Sequence, residues 1–206
     1  MKDFPVFPCS DGMVSLVLSE IPYGGEAYIL IRSLYGSLSR LLRECGDFCR
    51  MAGAEKIYVG GEGELSHLPV YAHLMERSLD KAQLPSTNAK AVLTDAAEWA
   101  ELYNKRFSQV HCAKSYRKTP ENAYFIYDGE HRIGLGQIID GELSAVASLE
   151  KGRGEDCVLA LAKEIPEDRI RLLSAEENLP ATRLYDRMGF SRDNLKRIWY
   201  RLWPED

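Results

Sequence analysis

Two stretches in the second half of the chain carry the groups best able to do chemistry. The first is Gly152-Arg153-Gly154, set between an apolar strand-like segment and an apolar-periodic helix. Glycines let main-chain amides approach a ligand without side-chain clash, and the free N–H groups and positive dipole end of a following helix attract phosphate. The second is IRLLSAEENLPATRLYDRMGF (170–190), where Asn178 lies just past a short apolar strand and Tyr185 lies on the helix that follows. Pro180 suits the first turn of that helix, because the N–H it lacks would have no intrahelical partner, and Gly189 can take the left-handed conformation that closes the other end. Ala181, Leu184 and Met188 recur at i, i+3 and i+7 and give one buried face, with Tyr185 at its edge.

The elements that must position these groups can be read outward from them. Val146 and Ser148 alternate with Ala147 and Leu149 in a strand over 142–149, and Val158, Leu161 and Ile165 mark the helix after the glycines, which Pro166 ends. Further upstream, TDAAEWAELYNKRFSQV (94–110) reads as a helix with Asp95 as N-cap and Glu98 three residues on. AYFIYD (123–128), the turn GEHR and IGLGQIID (133–140) read as a hairpin leading into the 142–149 strand, and RIWYRLW (197–203) as a closing strand. With AVL (91–93) first, the order is strand, helix, three antiparallel strands, helix, strand, helix, strand.

That order, together with Asn178, Ala181, Leu184-Tyr185 and Gly189-Phe190, resembles the GNAT superfamily of acyl-CoA-dependent N-acyltransferases over roughly 90–206. The resemblance implies an α/β (α+β) fold in which a mixed, mostly antiparallel sheet is flanked by helices. It also implies acetyl-CoA as cosubstrate, held by Ala147, Ser148, Leu149, Gly152, Arg153, Gly154, Glu155, Asn178 and Tyr185. In the family, strand amides, here around Ala147–Leu149, stabilise the charge that develops on the carbonyl oxygen, and a tyrosine, here Tyr185, protonates the departing thiolate. Two residues depart from the pattern. Leu149 stands where the family has Gln or Arg three residues before the first glycine, and Glu155 places a carboxylate where a pyrophosphate would settle.

The N-terminal third repeats part of this order. GMVSLVLSEI (12–21) and EAYILIRSL (26–34) read as a hairpin, Leu38 to Cys49 as a helix, KIYVGG (56–61) as a strand and LPVYAHLMERSL (68–79) as a second helix. IRSLYGSLSRLL (31–42) lies over VASLEKGRGEDCVL (146–159) but keeps only Gly36. The expectation is a tandem arrangement: a truncated, cofactor-free GNAT-like half over 1–85 and an N-acetyltransferase domain over 86–206, divided in KAQLPSTNAK (81–90).

Composition narrows the class. A net charge of -5 opposes a nucleic-acid partner, and Arg187, Arg192, Lys196, Arg197 and Arg201 are interspersed with acids as on a solvated face. No apolar run reaches the roughly 18 residues of a membrane span, and no signal segment is seen, so a cytoplasmic protein is expected. Cys9, Cys45, Cys49, Cys112 and Cys157 lack paired spacing, Cys45 and Cys49 fall on one apolar helix face, and the four histidines are scattered, so no metal is expected. The expected acceptor is a small-molecule or protein amine. A primary amine with a pKa near 10.4 is neutral only about once in a few thousand molecules at pH 7, so a base or water chain must remove a proton. Asp140, Glu142, Glu176 and Glu177 are the carboxylates near strand ends. The competing reading is a GNAT-shaped binding or regulatory module whose cofactor affinity Leu149 and Glu155 have weakened. An acyl-CoA hydrolase is disfavoured, since no Ser/His or Cys/His pair is evident. Oligomeric state is not legible.

Overall fold

The computed structural model describes residues 5–203. The chain packs as two units, one running to Leu74 and taken up again from Lys196, the other Met75–Leu195. Among the described residues no helix is long and apolar enough to cross a membrane.

In the first unit, largely apolar segments build β1 (Val6–Cys9), β2 (Gly12–Val17) and, after the one-turn helix α1 (Ile21–Gly24), β3 (Glu26–Leu34). The helix α2 (Leu38–Met51) then leads to β4 (Lys56–Gly61). β2 runs antiparallel to β3, and β3 parallel to β4 from Glu26 opposite Lys56 to Ile31 opposite Gly61. Ala27, Ile29 and Ile31 of β3 and Ile57 and Val59 of β4 form a core with Leu41, Leu42, Cys45 and Cys49 of α2.

The next strand, β5 (Val70–Asp80), starts in this unit and ends in the other. It corrects the helix expected over 68–79. Leu68, Ala72, Met75 and Leu79 do fall at helical spacing, but Arg77, Ser78 and Leu79 are consecutively buried, as a strand covered on both faces requires and a one-faced helix does not allow. The passage between units therefore runs through β5 rather than through the polar segment around residue 85.

The second unit adds β6 (Lys90–Leu93), α3 (Glu98–Phe107), β7 (Ala123–Asp128), β8 (His131–Ile139), β9 (Glu142–Ser148), α4 (Gly154–Glu164), β10 (Arg169–Ala175) and α5 (Leu179–Met188). The last strand, β11 (Ser191–Leu202), begins here, and in the first unit its end pairs antiparallel with β4, Tyr200 opposite Val59. Strand order in the second unit is β5-β10-β9-β8-β7-β6. The expected hairpin series is thus present, and the expected α+β architecture with a mixed sheet and flanking helices holds. One cap differs: Asp95 does not cap α3, and the Thr94 hydroxyl instead accepts the Ala96 N–H at 3.2 Å, a local turn ahead of the helix.

The repeat seen in the sequence survives in part. β2, β3, α2 and β4 have the same order and strand senses as β8, β9, α4 and β10: an antiparallel pair, a helix, then a strand parallel to the second of the pair. The first copy ends there, because β5 stands where the second has α5.

α4 is seated on β8 by two glycines. A Cβ on Gly134 would lie 2.3 Å from the Cys157 sulfur, and one on Gly136 2.3 Å from a Leu161 methyl, so the IGLGQ sequence lets the helix approach the strand closely. Behind that contact Val158, Leu161, Ile165, Ile170 and Leu172 form a buried core, while Trp99 and Tyr103 of α3 pack with Phe125, Leu135 and Ala145 in another. Gly136→Val should force α4 off the sheet and cost about 1–3 kcal/mol or more, measurable by chemical denaturation. Unchanged stability would refute the close seating of α4.

Candidate active site

The site begins with an irregularity in β9. Opposite β8, Gln137 faces Ala145 but the next residue, Ile138, faces Leu143, so Ser144 is an extra residue on β9, a bulge. The bulge changes which face each side chain meets. Leu143 packs with α4, whereas Ala145, Ala147 and Leu149 pack with α3. It also ends pairing on the other edge: among the described residues β9 and β10 are in register only at Leu143 and Leu172. Beyond that point two parallel neighbours run without a shared ladder.

Strand alternation then decides which amides face the gap. The Leu149 N–H donates to the Ile133 carbonyl of β8 at 2.8 Å, so the N–H groups of Ser148 and Val146 point to the opposite edge, where β10 has diverged. Of the three residues expected to hold the cofactor arm, Ser148 offers its amide there. Leu149, and by alternation Ala147, turn their amides to β8.

The glycine loop follows directly. Gly152 is left-handed at φ +89, and a Cβ there would meet nothing within 4 Å, so the loop is open on its outer side. A Cβ on Gly154 would sit 3.1 Å from a Leu184 methyl, which brings the first turn of α4 against α5 one residue before Tyr185. Arg153 is turned aside: its guanidinium contacts Asp128 at 2.5 Å and Asp156 at 3.1 Å. Glu155 and Asp156 both stand in the first turn of α4, where they complement the helix dipole and compete with an anionic ligand. In the first unit the equivalent corner is filled by the protein itself. Asp11, only 3% exposed, accepts the Ser37 N–H at 2.8 Å at the start of α2 and pairs with Arg40 at 2.7 Å. A Cβ on Gly36 would fall 1.9 Å from the same carboxylate. Its carboxyl is held below the usual range, chiefly by the Ser37 N–H and also by Arg40.

Asn178 is the N-cap of α5 without a side-chain cap bond; its carbonyl accepts the Thr182 N–H at 2.9 Å. Tyr185 is buried at 8% exposure, tilted against Phe190 with ring centres 5.4 Å apart, and its hydroxyl has no hydrogen-bond partner among the described residues. Burial pushes the phenol up to about 12, with Arg77 opposing the rise, so it keeps its proton throughout the neutral range.

Arg77 is the site residue that sequence reasoning missed. Its side chain is fully buried on β5, donating to Ser174 at 3.2 Å, Glu176 at 2.6 Å and Asp186 at 2.7 Å. Arg192 closes the ring, reaching Glu176 at 3.2 Å and Asp186 at 2.9 Å. The ring ties the end of β10 to α5 at the residue after Tyr185. The only sequence signal was an arginine within LPVYAHLMERSL (68–79), a segment whose spacing read as a helix.

The carboxylates considered as bases now separate. Asp140 and Glu142 lie at the start of β9, and its seven residues, rising about 3.3 Å each, put them roughly 20 Å from Ser148. Glu176 holds two arginines with its two oxygens. Glu177 lies past the carboxyl end of β10, and Ser148 is at the carboxyl end of the parallel strand β9.

The order and arrangement of elements along the chain have counterparts among solved structures. A GCN5-related N-acetyltransferase from Sphaerobacter thermophilus superposes with a TM-score of 0.53 at 15% identity, covering 92% of this chain and 76% of that one. The fold is that of the GCN5-related N-acetyltransferases. A second protein described in the same words, from Kribbella flavida, gives 0.54 at 11% identity over 93% of this chain and 56% of its own. A conserved protein of unknown function from Staphylococcus epidermidis gives 0.62 at 10% identity over 97% and 93%. At these identities what is shared is the GNAT fold. Neither a protein-family model nor a curated protein matches the sequence.

Arg77→Ala leaves two carboxylates facing one arginine and should cost about 3 kcal/mol, the low end for a broken buried pair because Glu176 and Asp186 are partly exposed. Denaturant midpoints would show it; a loss within experimental error would mean the ring is not structural. Asp186 is held below the ordinary carboxylate range, first by Arg192 and then by Arg77. A depressed native pKa contributes stability that is fully present above the unfolded value and lost as pH falls through the native one. Arg192→Gln should therefore raise the midpoint of acid unfolding. A lowered midpoint would contradict the pairing.

Proposed function

We propose that the second unit is an N-acetyltransferase that moves an acetyl group from acetyl-CoA to a primary amine by direct attack in a ternary complex. The observation that carries this reading is the edge of β9 that shares no ladder with β10 after Leu143, with the Val146 and Ser148 amides turned to that edge just ahead of the open Gly152 loop. Those residues suit the cosubstrate: the loop has room at Gly152 and the start of α4 offers unpaired N–H groups for phosphate. Acetyl-CoA would supply the activated acyl group as a thioester.

Gly152, Gly154 and the first amides of α4 would hold the diphosphate, and the strand-edge amides of Val146 and Ser148 would orient the arm and face developing negative charge on the acyl oxygen. Asn178, at the start of α5, would bond the arm. Tyr185, whose phenol burial pushes up to about 12, would give its proton to the departing thiolate. The amine would lose its proton to a carboxylate or to a water chain. Asp11 supports a single working site, because in the first unit its carboxylate already occupies the helix start where a phosphate would bind.

A second reading, a GNAT-shaped binding module, is favoured by one feature: Glu155 and Asp156 in the first turn of α4, with Arg153 engaged by Asp128 and Asp156. Thermal shift with acetyl-CoA separates the two. Ligand at 100 times its Kd stabilises by about 2.7 kcal/mol, so a clear rise in Tm is expected, and no rise at saturating cosubstrate would leave no transferase. Tyr185→Phe should lower kcat by about 10²- to 10⁴-fold with little change in Tm. Full turnover in that variant would remove the phenol from the mechanism. In the wild-type protein no alkaline fall in rate attributable to the phenol should occur below its raised pKa of about 12.

A further inference from the structure

The first unit carries a cavity whose charge runs against that of the chain. It has a volume of about 480 Å³ and lies at the carboxyl ends of the parallel strands β3 and β4, bordered by the first-unit part of β11. Carboxyl ends of parallel strands are where open α/β sheets receive ligands, and the volume is in the range of small-molecule sites. Its wall holds Arg32, Lys196 and Arg197 against one carboxylate, Glu62, in a protein with a net charge of -5. Glu62 is turned to the backbone, where its Oε2 accepts the Leu34 N–H at 3.3 Å.

Arg32 is the decisive group. It is half-buried, and its Nε donates to the Ser15 hydroxyl at 3.0 Å, which fixes the plane of the guanidinium. Its two terminal nitrogens have no hydrogen-bond partner among the described residues. A guanidinium anchored through Nε with its fork unengaged is arranged for bidentate recognition of a carboxylate or phosphate. Leu30 and Ile198 supply apolar wall beside it. Gly61 and Gly63, left-handed at φ +108 and +107, shape the loop at the rim. The start of α2 offers nothing to this ligand, since Asp11 occupies it.

We propose that this cavity binds a small organic anion, an apolar body carrying one carboxylate or phosphate head that Arg32 grips through its terminal nitrogens. The site is independent of the transferase reading. The full chain, labelled with ¹⁵N, would be titrated with sodium benzoate, with inorganic phosphate and with the neutral isostere benzamide, following the amides of Gly61, Glu62 and Gly63. Saturable shifts with benzoate or phosphate and none with benzamide are expected, and the stronger of the two anions identifies the head group. Arg32→Gln should weaken the better anion about tenfold or more, while Glu62→Gln, which removes the opposing charge, should tighten it and serves if the arginine variant folds poorly. Equal shifts with benzamide, no saturation with either anion, or unchanged affinity in both variants would overturn the proposal.

Discussion

The candidate site depends on one interruption of main-chain hydrogen bonding. Ser144 adds a residue to β9, and after Leu143 the strand no longer shares a ladder with β10. A buried unpaired amide is costly unless something bonds it, so a strand edge left open inside a sheet marks a place for a ligand or for water. The rest of the second unit holds that opening in place. Gly134 and Gly136 seat α4 against β8, which delivers its first turn to the end of β9, and Gly154 lets that turn meet α5.

The ion-pair ring around Arg77 does for α5 what the glycines do for α4. A fully buried arginine needs its charge answered, and Glu176, Asp186 and Ser174 answer it from the end of β10 and from the helix. Because Asp186 follows Tyr185 on α5, the electrostatic requirement of one buried cation also restrains the helix turn that carries a neutral phenol. The same cation restrains the rise in the phenol's pKa that burial produces.

The two helix starts show how one arrangement can serve opposite ends. In the first unit the N-terminus of α2 is satisfied internally by Asp11, with Gly36 leaving the carboxylate its space. In the second, the corresponding corner has Gly152 open to the outside, with Glu155 and Asp156 in the first turn of α4. A carboxylate from the same chain stabilises the helix at no loss of association entropy, so the first copy keeps its fold without a ligand.

Most elements were legible because their periodicity is local: the strands over 123–128 and 142–148, and the helices closed by Pro166 and Gly189, follow from alternation, helical spacing and termination. Asn178, Tyr185 and the glycine loop were legible as residues for the same reason. β5 was not, since Leu68, Ala72, Met75 and Leu79 fit a helix equally well and only pairing on both edges makes the segment a strand. Nor could a sequence show the bulge at Ser144, the direction of the Ser148 amide, Arg77 meeting residues about a hundred positions away, or Asp11 seated at the start of α2. Local order along the chain determined which groups exist and on which elements they ride. Their convergence was decided by tertiary structure, because hydrogen-bond register and the neutralisation of buried charge are set between segments that are distant in sequence.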